Sequence, residues 1–198
     1  MNDFVIFQDA RPTRSDAVKN REQILRTAQE LIHERGVESV TMSAVAEAAG
    51  VGKGTLYRHF PGKPQLLEEL IDADQRDLQN RTLYYLRTHP GTPMENLHWF
   101  VSEVIAFVER NMGLLSTITV IQTDAGVDHP AHYWWRQTIR GLLMQAGIAQ
   151  HLDIEYVTDL IYVMLDPRVM TYMGRTRGYD IERQRDAVLG VVDTLLAR

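Results

Sequence analysis

Helical periodicity runs along this chain and is interrupted only at short glycine- and proline-centred points, which restricts it to folds built from packed helices. No stretch alternates apolar and polar residues over a useful length, and no internal repeat or low-complexity tract is present. Across residues 20–35, Ile24, Leu25, Ala28, Leu31 and Ile32 form one stripe, with Glu22, Arg26, Glu30 and His33 turned away. Asn20 and Gln23 read as a capping box, and Gly36 as the left-handed residue that ends this helix. Thr41 sits at the N-cap of a short second helix, 42–49, whose Val45, Ala46 and Ala49 face inward. Gly50 ends it, Val51 and Gly52 follow, and 53–60 forms a third short helix anchored by Leu56 and Phe60 before Pro61 and Gly62 stop it.

Beyond Gly62 the helices lengthen, to about 64–87, 94–111, 114–123, 130–145, 154–165 and 181–196. Breaks are expected at Pro90 with Gly91, Gly113, Gly126, Gly147 and Gly178. Asp166 and Pro167 read as the N-cap and first position of a further turn through Met173. The expected fold is all-α, with about nine helices in total. Its domains are a flexible arm at 1–14, a three-helix unit at 15–63 and a larger helical domain at 64–198.

Charge is unevenly distributed along the 198 residues. The net charge is -5, yet residues 11–63 hold nine Lys and Arg against six Asp and Glu, whereas 64–198 hold twelve against eighteen. The basic excess thus falls on the three-helix unit, although an uneven surface charge is also common where it has no role. The absence of cysteine excludes disulfides and thiolate metal sites and accords with a reducing compartment. The opening MNDFVIFQDA lacks the basic start and long apolar stretch of an export signal, and no apolar run approaches the roughly 20 residues of a membrane span. A soluble, cytoplasmic protein without a membrane partner is expected.

Two short helices separated by a tight glycine-containing turn present the second helix to the DNA major groove, which is about 12 Å wide and admits one helix. Phosphate contacts need donors at helix starts and on short side chains, which Thr41, Ser43, Thr55, Tyr57 and His59 provide, with Lys63 adding a charge near the start of the fourth helix. Base reading falls to the exposed beginning of the third helix, chiefly Lys53, with Gly54, Tyr57 and Ser43 near the groove floor. Taken alone, Lys53, Arg58 and His59 also fit the solvated face of a small helix. Arg11 and Arg14 can reach an adjacent minor groove or belong to a basic tail without contacts.

The stretch TMSAVAEAAGVGKGTLYRHFPGKPQLLEEL resembles the DNA-binding signature of the TetR family almost position by position. It departs from that pattern at Gly52, where a serine or similar cap is usual, and at Pro61 and Gly62, where polar residues are commoner. Over the remaining two-thirds the likeness is confined to helix number, length and order. The resemblance implies a helix-turn-helix DNA-binding domain followed by a dimerisation and effector-binding domain. It implies a homodimeric repressor that binds a palindromic double-stranded DNA operator, with half-sites about 34 to 36 Å apart, and is released by a small-molecule effector. By the same resemblance the last two long helices pair with their copies, here through Val157, Ile161, Met164, Val188, Leu189, Val192 and Leu195. These two stripes also suit an ordinary core. The family places an effector cavity among the middle helices, which here carry Trp99, Phe107, Tyr133, Trp134 and Trp135. Large aromatics are most often packing, but Trp99 and Phe107 lie off the main Leu97/Val101/Val104/Val108 stripe. With Glu103, Asp124 or Asp166 nearby, a site among Trp99, Glu103, Phe107, Tyr133, Trp134 and Asp166 suits an aromatic or cationic molecule.

Catalysis finds no support in the motifs. A Walker A match ending at Gly52 and Lys53 needs Gly where Glu47 stands and Ser or Thr where Gly54 stands, and Thr55 occupies the last place of G-x-G-x-x-G. Two Glu-x-x-His pairs, Glu30 with His33 and Glu95 with His98, repeat the spacing of di-iron bundle enzymes, but their side chains fall opposite the apolar stripes. His129 and His132, with Asp124 or Asp128, have a spacing that a divalent ion accepts, and exposed histidines at a helix start have it too. No cofactor is expected, and the alternatives are a di-iron enzyme or a helical adaptor that does not bind DNA.

Overall fold

The computed structural model describes the backbone of residues 14–121, 130–147 and 152–196, and the side chains of 17–117, 133–147 and 152–194. Residues 1–13 of the expected arm, the side-chain contacts expected of Arg11 and Arg14, the side chains of His129 and His132, the carboxylates at 124 and 128 and the Leu195 side chain lie outside what is described. Among the described residues all regular structure is helical. In order, the helices are α1 (Arg14–Arg35), α2 (Met42–Ala48), α3 (Lys53–His59), α4 (Lys63–Thr88), α5 (Pro93–Ile121), α6 (Pro130–Gln145), α7 (Ile154–Met164), α8 (Pro167–Arg177) and α9 (Ile181–Leu196), with a 3-10 turn at Val37–Ser39 between α1 and α2. The chain divides into two compact units between Leu66 and Leu67, inside α4.

In the first unit α1 packs on α2 and α2 on α3. Ile24, Ala28 and Leu31 of α1 are buried, as are Val45, Ala46 and Ala49 around α2 and Leu56 and Phe60 around α3, which are the inward faces the periodicity assigns. Two expectations about α1 are corrected. The helix already runs from Arg14, so Asn20 lies inside it and caps nothing; the Gln23 side chain instead donates from Nε2 to the Ala49 carbonyl at 2.8 Å, tying α1 to the end of α2. Gly36 has φ 76° but ψ 151°, so it leaves the helix through an extended conformation on the glycine side of the map rather than a left-handed helical one.

In the second unit α5 is a single helix of 29 residues, and the break expected at Gly113 does not occur. The Gly113 carbonyl accepts from the hydroxyls of Ser116 and Thr117 at 3.0 and 2.9 Å, while Met112 and Leu115 on either side pack against the core. One helical glycine costs about 1 kcal/mol relative to alanine, too little to interrupt a helix whose flanking residues are held by burial. Thr92 and Glu95 form a reciprocal capping box at its start: the Thr92 N–H donates to Glu95 Oε2 at 2.7 Å and the Glu95 N–H to Thr92 Oγ1 at 3.2 Å. The donated hydrogen bonds hold the Glu95 carboxyl below its usual pKa. Asp166 caps α8 by accepting from the Arg168 N–H at 2.7 Å, with Pro167 following, but α8 continues to Arg177, beyond the single turn expected. Gly178, at φ 70° and ψ 24°, ends it in the left-handed conformation.

α5 is the centre of this unit and packs against α6, α8 and α9. Leu97, Phe100, Val101, Val104, Ile105, Phe107 and Val108 are all buried, so apolar residues face inward around much of its circumference rather than along one stripe. α4 joins it through Leu78, fully buried in the same core, and through polar contacts. Trp135 Nε1 donates to Gln75 Oε1 at 3.1 Å, Arg110 and Asn111 donate to Asp74, and Arg81 pairs with Glu103. No described helix is long and apolar enough to cross a membrane.

Because Phe107 is 2% exposed and meets Trp135 edge-on, with ring centroids 5.6 Å apart, Phe107→Ala is expected to lower stability by about 3 to 5 kcal/mol, measured by chemical denaturation.

Candidate nucleic-acid interface

The turn between α2 and α3 is built on one glycine that the backbone requires. Gly50 has φ 64°, its N–H donates to the Glu47 carbonyl at 3.1 Å and the Val51 N–H donates to the Ala46 carbonyl at 3.0 Å, which together close the end of α2 as a Schellman motif. Thr41 caps the other end, its Oγ1 accepting from the Ala44 N–H at 3.2 Å. Gly52 is different. It occupies the N-cap of α3 with φ -64° and ψ 143°, supplies no capping side chain, and would have only Thr55 Oγ1, 4.0 Å away, near an added Cβ.

Leu56 is fully buried and Phe60 is 2% exposed, with the Arg21 guanidinium of α1 lying 5.4 Å from the Phe60 ring centroid. Fixing that side of α3 inward turns the other side out. Lys53, Gly54, Tyr57 and Arg58 are all exposed, and their one- and four-residue spacings place them on one contiguous face. An added Cβ on Gly54 would meet nothing within 4 Å, so the main chain itself is open at that point. Thr41 and Ser43 are exposed at the start of α2, whereas Thr55 and His59 are half-buried at the edge of α3.

Two residues behave in ways that the pattern did not convey. The Lys63 ammonium does not stand free at the head of α4: it donates to the Val37 carbonyl at 2.7 Å and approaches that of Glu38 at 3.5 Å, pinning the 3-10 turn. Arg58 lies on the outward face, with Nε donating to the Gly54 carbonyl at 3.2 Å and Nη2 to Thr55 Oγ1 at 3.4 Å. Its position, one residue after Tyr57 and four after Gly54, was the signal for grouping it with them.

Of the residues expected around an effector, all but Tyr133 are engaged. Phe107 lies in the core; Trp99 stacks on Tyr85 of α4 at 3.9 Å, and Trp134 meets Phe100 edge-on at 5.4 Å. Tyr133 is 65% exposed. Glu103 pairs with Arg81, and Asp166 is buried while capping α8 and binding the Arg168 guanidinium. Being off the main stripe of α5 therefore did not make Phe107 a surface residue, because the helix is enclosed on more than one side.

The stripe assigned to pairing between copies is also corrected. Val157, Ile161, Val188 and Val192 are buried within the single chain, and Met164 and Leu189 pack against that same core. The exposed apolar face of α7 is a different one, formed by Tyr156, Leu160 and Val163 at 70%, 38% and 51% exposure, with Val191 of α9 also exposed at 38%. Of the Glu-x-x-His pairs, Glu30 and His33 point to solvent and Glu95 serves as a cap. His98 Nε2 lies 2.7 Å from Asp193 Oδ1, within ion-pair reach if the ring is protonated but without hydrogen-bond alignment. No group of three or more potential metal ligands occurs among the described residues.

Residues 24–70 match the model of a family described as bacterial regulatory proteins, tetR family. An HTH-type transcriptional regulator of Staphylococcus aureus is 46% identical over 180 residues, covering 90% of this chain and 95% of that one. The nucleoid occlusion factor SlmA of Mannheimia succiniciproducens is 29% identical over 113 residues, 57% of this chain and 52% of its own, so the chain spans about half the length of that curated relative. Among solved structures, a TetR-family transcriptional regulator from Pectobacterium atrosepticum shares the fold with a TM-score of 0.67 at 20% identity, covering 93% of this chain and 95% of that one.

The two turn glycines are expected to respond oppositely to substitution. Gly50→Ala forces a side chain into the left-handed region and costs about 1 to 2 kcal/mol, whereas Gly52→Ser leaves stability unchanged or raises it by a few tenths of a kcal/mol through a new cap; thermal unfolding of the two variants measures the difference.

Proposed function

The chain belongs to the TetR family of bacterial regulatory proteins, and from that premise we propose that it is a ligand-responsive transcriptional regulator, a homodimer that represses from a palindromic operator in the cytoplasm. The observation that carries this reading is the outward face of α3. Lys53, Gly54, Tyr57 and Arg58 project from a helix whose opposite side is fixed by Leu56 and Phe60, the geometry that a helix entering a major groove needs. Lys53 donates to guanine O6 or N7, Tyr57 and Arg58 supply donors beside it, and Gly54 lets a base edge or phosphate approach the main chain. The fold makes no demand for glycine at position 54, which lies within a helix and faces open space. Thr41, Ser43, Thr55 and His59 take phosphates along the edge. Lys63 acts first on the 3-10 turn, and an ammonium has three donors, leaving one for a phosphate.

Pairing between copies is assigned to the exposed face of α7, where Tyr156, Leu160 and Val163 fall at i, i+4 and i+7, together with Val191 of α9. The effector acts by population shift, favouring a geometry of α4 that is incompatible with operator spacing, with a coupling on the order of 1 to 3 kcal/mol. Beside the buried Leu78, α4 is held by the polar contacts of Asp74, Gln75 and Arg81, which exchange partners more readily than an interlocked apolar seam reorganises.

Two sets of variants test the proposal. In gel-shift titrations against genomic fragments, Lys53→Ala is expected to weaken specific binding by about 5- to 100-fold, and Gly54→Leu to weaken it without loss of thermal stability. Equal binding by wild type and Lys53→Ala would refute the assigned face. In sedimentation velocity, Leu160→Asp is expected to convert a dimer to monomers that keep their helical circular dichroism, because the side chain is exposed in the single chain.

A further inference from the structure

A groove of about 350 Å³ lies between the later part of α5 and one side of α8, and Trp99, Phe107, Tyr133, Trp134 and Trp135 are not among its lining residues. Leu115 from α5 and Pro167, Thr171 and Tyr172 from α8 form its mainly apolar walls, and Arg168 and Arg175 stand among them. Its volume is at the small end of ligand pockets. The two arginines are not equivalent. Arg168 is forked onto Asp166, with Nε to Oδ1 at 3.0 Å and Nη2 to Oδ2 at 2.7 Å, so that pair adds no net charge. Among the described residues Arg175 has no hydrogen-bond or ion-pair partner, and none of those that line the groove is a carboxylate. The Thr171 hydroxyl donates to Met112 Sδ at 2.8 Å and that of Ser116 to the Gly113 carbonyl at 3.0 Å, so the guanidinium N–H groups are the charged donors offered to an occupant, beside the neutral hydroxyls of Tyr172 and Thr176.

We propose that this groove binds a small amphiphilic carboxylate, with its acid group on Arg175 and its apolar body along Leu115, Pro167 and Tyr172. An uncompensated cation beside an apolar trough favours an anion with a hydrocarbon tail, and it disfavours the cationic molecule that the sequence suggested for an effector. Arg168 remains on Asp166 and shapes one wall. The assignment adds a ligand class to the effector role proposed above and depends on that reading only for its consequence on DNA.

Calorimetric titration of the full chain with octanoate, 1-octanol and octyltrimethylammonium, which share a tail and differ in head group, tests the proposal. Octanoate is expected to bind up to about fivefold more tightly than octanol, the size of an exposed ion pair, with the ammonium weakest and the octanoate preference shrinking as salt rises. Arg175→Gln is expected to remove the difference between octanoate and octanol while leaving octanol binding and thermal stability unchanged, and Arg175→Lys to restore much of it. Equal binding of the three probes overturns the proposal, and so does a preference for octanoate that survives in Arg175→Gln. Dissociation of a dimer by Arg175→Gln in sedimentation velocity overturns it as well, by making the groove a contact between copies. Duplex binding is measured separately without probe, so that failure of the wild type to bind DNA counts against the proposed regulator and leaves the groove standing.

Discussion

Burial of Leu56 and Phe60 on one side of a seven-residue helix is the constraint on which the putting-forward of the other side depends. A helix that short does not persist alone in water, since nucleation costs more than so few hydrogen bonds return. Its conformation and its orientation therefore come from the same source, the apolar contacts within the first unit. The Gly50 turn sets where α3 begins, the Gln23 side chain holds the end of α2, and Arg21 covers the Phe60 ring. Lys53, Gly54, Tyr57 and Arg58 are outward because Leu56 and Phe60 are inward. The polar face thus has a backing that keeps it in place, which a recognition surface requires.

The second unit works by a different rule. α5 is enclosed by α6, α8 and α9, and its buried residues include both the Leu97/Val101/Val104/Val108 stripe and Phe100 and Phe107 outside it. A central helix of this kind buries residues on more than one side, so position relative to one stripe does not separate core from surface. The stripes of α7 and α9 raised the matching difficulty. Each helix has an apolar side toward its own core and, on α7, a second one toward solvent, and periodicity alone does not say which one a partner covers.

Electrostatics divides along similar lines. Buried or half-buried charges in the second unit are matched locally: Asp166 by Arg168 and the start of α8, Glu103 by Arg81, Asp159 by Arg136. Such matching is what a carboxylate removed from water requires, and it withdraws these acids from the role of waiting for a cationic ligand. Tyr162 shows the same environment from the other side, its phenol pushed up to about 12 by burial and by the nearby Asp166 carboxylate. The exposed Arg175, by contrast, has no such partner among the described residues.

Local signals sufficed wherever the cause was local. Helical period, the Thr41 and Asp166 caps, and the glycines at 50 and 178 were legible in the sequence, because backbone strain and capping act within a few residues. The inward and outward faces of α2 and α3 were legible too, each being amphipathic with a single buried side. Whether Gly113 breaks α5, whether Lys63 reaches outward or back to the Val37 carbonyl, which side of α7 stays exposed and where a groove opens beside α8 were decided only by the tertiary structure. Those outcomes depend on what packs against each side chain from segments distant along the chain, and the order of residues within one helix does not specify its neighbours.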